Sequence, residues 1–272
     1  MNNKSPLRYP GGKTRACKVL DKIINKYFPI DTMTNIVSPF FGGGSFEFFI
    51  QNKYNLTIIA NDKFTPLYNF WNICKVKQTA LCDMLYTSKE ITKEIFTEIR
   101  KNIMSETNEL TQAFYYFIIN RCSFSGATLS GGFSPQASKK RFTTSSIDRI
   151  KKLDLSKVTI QNEDFTTFLT SVNIRNSGNS LIFLDPPYYL QKGSKLYGKN
   201  GDMHINFNHK ELFDIISTKT NWLLTYNDCE YIRQLYKDFT IIDTQWSYGM
   251  NKTKKSSEII IINVKKTNNK II

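Results

Sequence analysis

Histidine is nearly absent: His204 and His209 are the only two in 272 residues, and no cysteine lies near either. The five cysteines (Cys17, Cys74, Cys82, Cys122 and Cys229) are scattered, odd in number and form no C-x-x-C pair. A structural zinc site needs a close-set group of such ligands, so the pattern argues against a metal. Unpaired cysteines suit a reducing compartment, the cytosol or nucleus. Long apolar runs are missing too. Ile259 to Ile262 is typical of the longest, far below the roughly 20 residues of a membrane span. The opening "MNNKSPLRYP" lacks the apolar core of a signal peptide, so secretion is not expected. Acids are in deficit, 23 against 37 Lys and Arg, for a net charge of +14. Such a surface suits a polyanion and raises nucleic acid as a partner without proving it.

What is present is alternation. Apolar runs ending in turn residues recur as "TNIVSPFFGGG", "NLTIIAND", "SKVTIQNEDF", "SLIFLDPPY", "NWLLTYND", "FTIIDTQW" and "SEIIIINV", with helix-like stretches such as "HKELFDIIS" and "CEYIRQLYK" between several of them. This predicts an α/β fold: a doubly wound, mostly parallel sheet of seven strands. The last two runs are joined by "SYGMNKTKKSS", too short for a helical crossover, so they are expected to form an antiparallel hairpin at the sheet edge. Residues 73–156 break the alternation. Leu110, Ala113, Phe114, Phe117 and Ile118 recur at helical spacing, and "NRCSFSGATLSGGFSPQASKKRF" follows. The expected division is a sheet domain from 1–72 and 157–272, with 73–156 inserted as a helical domain on its functional edge.

"SPFFGGGSFEFF" sets Gly42, Gly43 and Gly44 between a strand and a helix, where missing side chains allow a tight turn and close approach of a ligand. The acid ending the next strand, Asp62, falls twenty residues after Gly42 and is placed to grip ribose hydroxyls. That pair suits a nicotinamide cofactor as well as S-adenosylmethionine. "RYPGGKT" mimics a phosphate loop but has Leu7 where the pattern needs glycine, and no strand precedes it.

"SLIFLDPPYYL" ends a buried strand on Asp185, Pro186, Pro187 and Tyr188. In a doubly wound sheet such an end faces the ligand crevice. The amino group of a nucleobase is a poor nucleophile because its lone pair is delocalised into the ring. A carboxylate accepting one amino hydrogen and a main-chain carbonyl accepting the other free that lone pair. Asp185 supplies the first and Pro186 the second, since proline offers a carbonyl and has no donor. Tyr188 supplies a flat face for a base drawn out of the helix.

Taken in order, "RYPGGK", "SPFFGGGSF", "AND", "NRCSFSG", "LDPPYY" and "LLTYND" resemble the Dam-type, alpha-group adenine-N6 DNA methyltransferases across nearly the whole chain. The resemblance implies a Rossmann-like methyltransferase fold, S-adenosylmethionine as cofactor and double-stranded DNA as partner. A restriction endonuclease acting at the same site is a further possible partner, and the compartment that holds the DNA is the expected location. It assigns Tyr9 and Lys13 to the cofactor site, Phe40, Gly42 and Gly44 to its methionine portion, and Asp62 to its ribose. Asp164 and Phe165 would contact its adenine, with a helix cap the competing role for Asp164. Asp185 would straddle cofactor and target, with Pro186, Pro187 and Tyr188 completing the pocket.

The insert becomes a target-recognition domain. Relatives that read GATC tend to carry tyrosine, asparagine and arginine where this chain has Phe124, Ser125 and Leu129; these three are the residues expected to read DNA here, and GATC specificity does not transfer. Arg121, Lys139, Lys140 and Arg141 are expected on phosphates, as are Lys252, Lys254 and Lys255 of the edge loop. A cytosine-N4 methyltransferase shares this chemistry, but Asp at 185 and the motif order favour adenine. Carbon-5 methylation needs a Pro-Cys nucleophile that the chain lacks. A DNA-binding relative without activity would keep the fold, yet the intact Asp185 and glycine loop argue against it. A dehydrogenase explains the glycines but neither the Asp-Pro-Pro-Tyr turn nor the charge.

Overall fold

Each of the seven apolar runs forms a strand: β1 Asn35–Ser38, β2 Thr57–Asn61, β3 Val158–Gln161, β4 Ser180–Leu184, β5 Trp222–Asn227, β6 Thr240–Ser247 and β7 Lys255–Asn263. The computed structural model describes residues 2–9, 11–88, 90–171, 179–189, 207–247 and 255–264. Lys252 and Lys254 lie outside the described residues, as does His204. The strands make one sheet in the order β3-β2-β1-β4-β5-β7-β6. β3, β2, β1, β4 and β5 are parallel neighbours, while β7 runs antiparallel to both β5 and β6. The expected edge hairpin is therefore present, with β7 the inner strand and β6 the edge. From β1 the chain winds outward to β2 and β3, then returns to place β4 on the other side of β1. That reversal opens a crevice beyond the carboxyl ends of β1 and β4, where doubly wound sheets bind ligands.

β4 shows why these runs fold as they do. All five of its residues are buried, and alternate side chains enter opposite layers. Leu181 and Phe183 join the core under α1 (Cys17–Tyr27) and α2 (Ser45–Tyr54), while Ile182 and Leu184 join the core that contains Leu212, Ile216 and Ile232. Phe183 meets Phe46 of α2 with ring centroids 4.3 Å apart. Losing such a ring to alanine costs about 3–5 kcal/mol.

Between β2 and β3 the described chain is helical: α3 Thr65–Val76, α4 Gln78–Tyr86, α5 Lys93–Asn102, α6 Glu109–Cys122, α7 Pro135–Arg141 and α8 Thr144–Lys151. Local chemistry starts several of them. Thr92, Asn108 and Ser134 cap α5, α6 and α7 by accepting main-chain N–H bonds, and Thr143 and Ser146 form a reciprocal capping box on α8. α3 runs through residue 73, and the helices share one core with a face of the sheet. The helical stripe read for α6 is real but incomplete. Tyr116, Ile119, Asn120, Arg121 and Cys122 are buried as well, because α6 is enclosed by its neighbours. No described helix is long and apolar enough to cross a membrane.

Candidate active site

The glycine loop leads from β1 into α2 with Gly42 at φ +50° and Gly44 at φ +64°, in the left-handed region that favours glycine. A side chain at Gly42 would start 2.9 Å from the Tyr9 ring, and one at Gly43 would start 2.8 Å from Tyr9 Cβ. Tyr9 thus lies directly against the loop. Gly42 N–H donates to Asp62 Oδ2 (2.9 Å), and Phe64 N–H donates to Asp62 Oδ1 (3.0 Å). Burial pushes the Asp62 carboxyl up to about 6, against the pull of those two N–H groups. Asp62 therefore braces the loop, and each of its oxygens keeps a second lone pair with which to accept a hydroxyl. The Trp71 indole N–H, donating to Gly42 carbonyl at 2.9 Å, fixes the loop from the other side.

At the end of β4 the Asp185 carboxylate is held from two directions. Lys13 Nζ donates to Oδ1 (2.7 Å) and Oδ2 (2.8 Å), and Thr225 Oγ1 donates to Oδ1 (2.6 Å). Lys13 is 3% exposed and Asp185 21%, so the anion reaches the crevice while its counter-charge is buried. Lys13 also donates to the Tyr188 hydroxyl at 3.0 Å and lies 5.3 Å from that ring's centroid. Pro186 is buried and Pro187 half-buried. Beyond Tyr188, Tyr189 stacks on Tyr231 at 4.4 Å, and its carbonyl accepts from Asn227 Nδ2 at 2.8 Å. The chemistry-bearing turn is thus clamped at both ends.

Beside the loop, Phe40 and Phe165 meet at 5.7 Å, and Phe207 completes the group at 5.6 and 5.1 Å from them. The rings are tilted against one another by 34–68°, and together they form an apolar aromatic cluster against which a purine ring could pack. Phe207 carried no sequence signal, since it follows the Asp-Pro-Pro-Tyr turn by nearly twenty residues. Asp164 caps α9 (Phe165–Ser171) by accepting Thr166 N–H at 3.0 Å, and pairs with Lys63 at 2.7 Å. Burial works to raise its carboxyl, but Lys63 and Thr166 hold it below the usual range. Glu47, unmarked in the sequence, is buried in the first turn of α2 and accepts Ser38 Oγ–H at 2.6 Å.

In the insert, an antiparallel bridge between Ser123 and Phe133 closes a loop of two short 3-10 turns. Phe124, the first residue of that loop, is 70% exposed, and Ser125 is exposed with φ +55°. Two expectations need correction. Leu129, taken for a reader of bases, is 6% exposed within the main core. Arg121, taken for a phosphate grip, is also buried: Nε donates to the Arg141 carbonyl (2.7 Å) and an Nη to the Pro6 carbonyl (3.1 Å). Burial, then Arg8, Arg149 and Arg141, bring its guanidinium down to about 10. Two of its donors thus go to main-chain carbonyls, and the side chain is enclosed away from the surface. Lys139, Lys140 and Arg141 are exposed on the last turn of α7, where the helix carbonyls favour cations. Lys255 opens β7. Asn120 ties the insert to the N-terminal motif: its amide accepts Arg8 N–H (2.9 Å) and donates to Arg8 carbonyl (2.7 Å).

A glycine loop after β1, an acid after β2 and a pinned carboxylate after β4, all opening on the reversal point, define a group-transfer enzyme of the nucleotide-cofactor α/β class. The chain belongs to the D12 class N6 adenine-specific DNA methyltransferase family, which it matches over residues 9–250. A Type II methyltransferase of Methanocaldococcus jannaschii, M.MjaIII, is 23% identical over 207 residues, 69% of this chain and 70% of that protein. A solved Haemophilus influenzae protein described as a candidate methylase shares 11% identity over 92% of this chain and 89% of that one, with a TM-score of 0.36. The protein is an adenine-specific DNA methyltransferase that takes its methyl group from S-adenosylmethionine. The cytosine-N4 alternative is thereby set aside.

Proposed function

We propose that a target adenine leaves the duplex and enters the crevice between β1 and β4, with its amino group at Asp185 and its ring on Tyr188. S-adenosylmethionine, when bound, supplies a methyl group made electrophilic by its sulfonium centre. The residues present suit that cofactor. Asp62 retains lone pairs for ribose hydroxyls, Phe40 and Phe165 with Phe207 offer the apolar surface for its adenine, and Tyr9, Gly42 and Gly44 shape the loop beside them. Lys13 neutralises part of the Asp185 charge and holds it in place. Asp164 serves first as the cap of α9 and reaches the cofactor only through Phe165 beside it.

Asp185 accepts one amino hydrogen while the Pro186 carbonyl accepts the other, which favours a pyramidal nitrogen with an available lone pair. With the methyl donor bound, the nitrogen would take the methyl carbon as the carbon–sulfur bond breaks and its electron pair stays on sulfur, which leaves S-adenosylhomocysteine. The amino proton would pass to the Asp185 carboxylate. Tyr188 stacks on the extruded base, which repays part of the lost stacking in the duplex. The observation that carries this reading is Asp185 itself: a part-exposed carboxylate at the reversal point, pinned by a buried lysine and a buried threonine.

Phe124 and Ser125, exposed on the loop that follows α6, are the proposed readers of sequence, and Lys139, Lys140 and Arg141 the proposed phosphate contacts. A Type II relative supports a restriction endonuclease acting at the same site as functional partner, in whichever compartment holds the DNA. The test is transfer of labelled methyl groups to duplex DNA by Asp185→Asn and Asp185→Ala. Both should bind S-adenosylhomocysteine and DNA yet transfer nothing measurable. A wild-type rate in either would remove Asp185 from the mechanism.

A further inference from the structure

Resting on the role of Asp185 above, we propose that Thr225 is a positioning residue for methyl transfer, and that it makes Oδ2 the oxygen that meets the target amino group. Thr225 sits in β5, whose parallel register with β4 pairs Leu184 with Leu224, so the next step along each strand sets Thr225 beside Asp185. The threonine is fully buried. Its hydroxyl has one proton and two acceptors within reach, Asp185 Oδ1 at 2.6 Å and Leu184 carbonyl at 3.4 Å. The shorter contact to a charged oxygen is the stronger by far.

The lone pairs of Asp185 can then be counted. Oδ1 receives Thr225 and Lys13, which fills both of its acceptor positions. Among the described residues Oδ2 receives Lys13 alone and keeps one position open. A carboxylate held only by lysine could swing about its broad terminal torsion and change the direction in which its open acceptor position points. Thr225 is anchored on a central strand and approaches from one side only, so it selects one orientation. It touches neither cofactor nor DNA and acts through Asp185.

The experiment compares Thr225→Val, which keeps shape and strand preference but loses the hydroxyl, with Thr225→Ser, which keeps the hydroxyl. Wild type and Asp185→Asn are run beside them in steady-state and single-turnover methylation of duplex DNA. Thr225→Val should lower kcat about 10- to 100-fold, the scale of a lost hydrogen bond to a charged group, with KM for DNA and S-adenosylmethionine within about twofold. Thr225→Ser should stay within about threefold of wild type. A wild-type kcat for Thr225→Val, or equal losses in the two variants, overturns the proposal. If Thr225→Val misfolds, Thr225→Ala against Thr225→Ser makes the same comparison. Should Asp185→Asn itself transfer methyl groups at the wild-type rate, the assignment of Asp185 fails; an inactive Asp185→Asn beside an unimpaired Thr225→Val refutes only the role of the threonine.

Discussion

Replacing Glu47 by glutamine should stabilise the protein in a pH-dependent way. Glu47 is 2% exposed, and burial raises its carboxyl from 4.5 to about 7, with Asp185 adding to the rise and Ser38 and Lys13 opposing it. Between those values the folded chain holds a proton that the unfolded chain has released. Stability therefore falls as pH rises from 4.5 through about 7, the reverse of a salt-bridged acid. At about 1.36 kcal/mol per pH unit the full loss is about 3 kcal/mol. Roughly a quarter of it is already lost at pH 5, which leaves about 2–3 kcal/mol between pH 5 and pH 8. Glutamine cannot ionise, so Glu47→Gln should gain about that much on wild type between the two pH values. Any constant cost of housing the amide cancels in the comparison, and so does Asp62, which titrates in both proteins. Urea unfolding of wild type and variant at pH 5 and pH 8, followed by tryptophan fluorescence, reads the quantity directly. A difference below about 0.5 kcal/mol would refute the picture of a desolvated carboxyl beneath the active site.

Asp62→Ala should do two things at once. S-adenosylhomocysteine binding should weaken by up to a few kcal/mol, and the free protein should lose about 1–3 kcal/mol for each main-chain N–H left without its acceptor; unchanged cofactor affinity in calorimetry would confine Asp62 to bracing the loop. Tyr188→Phe should be far milder than Tyr188→Ala, whose loss of stacking is worth about 1–3 kcal/mol, and equal losses in methylation assays would implicate the hydroxyl that Lys13 contacts. Replacing Lys139, Lys140 and Arg141 together should weaken binding to every DNA alike and reduce the slope of log affinity against log salt by about 0.9 per lost contact. A methylation map of that variant should match wild type, whereas Phe124 or Ser125 variants should shift it; the opposite pattern would reverse the two roles.

The sheet was legible because its strands are buried on both faces and read as unbroken apolar runs bounded by turns. Parallel neighbours need crossovers and a tight hairpin does not, so even the antiparallel edge followed from the shortness of the "SYGMNKTKKSS" connection. The glycine loop, Asp62 and the Asp-Pro-Pro-Tyr turn were legible for a different reason. Close approach, a carboxylate that braces a glycine loop and a donor-free turn each demand a particular residue type at a strand end, whatever surrounds it. Exposure and partnership are not local in that sense. Arg121 and Leu129 were expected at the DNA, but Arg121 ends a helix that is enclosed by its neighbours, and Leu129 packs into the main core. Lys13 meets Asp185 across 172 residues and Thr225 meets it across 40. Glu47 is an ordinary helix acid until the sheet closes over it. The sequence by itself determined which elements form and which chemical groups stand at their ends, since those depend on propensity and periodicity along the chain. Only the tertiary structure decided which of those groups lose water and which face one another, because desolvation and pairing are set by segments that meet only when the chain is folded.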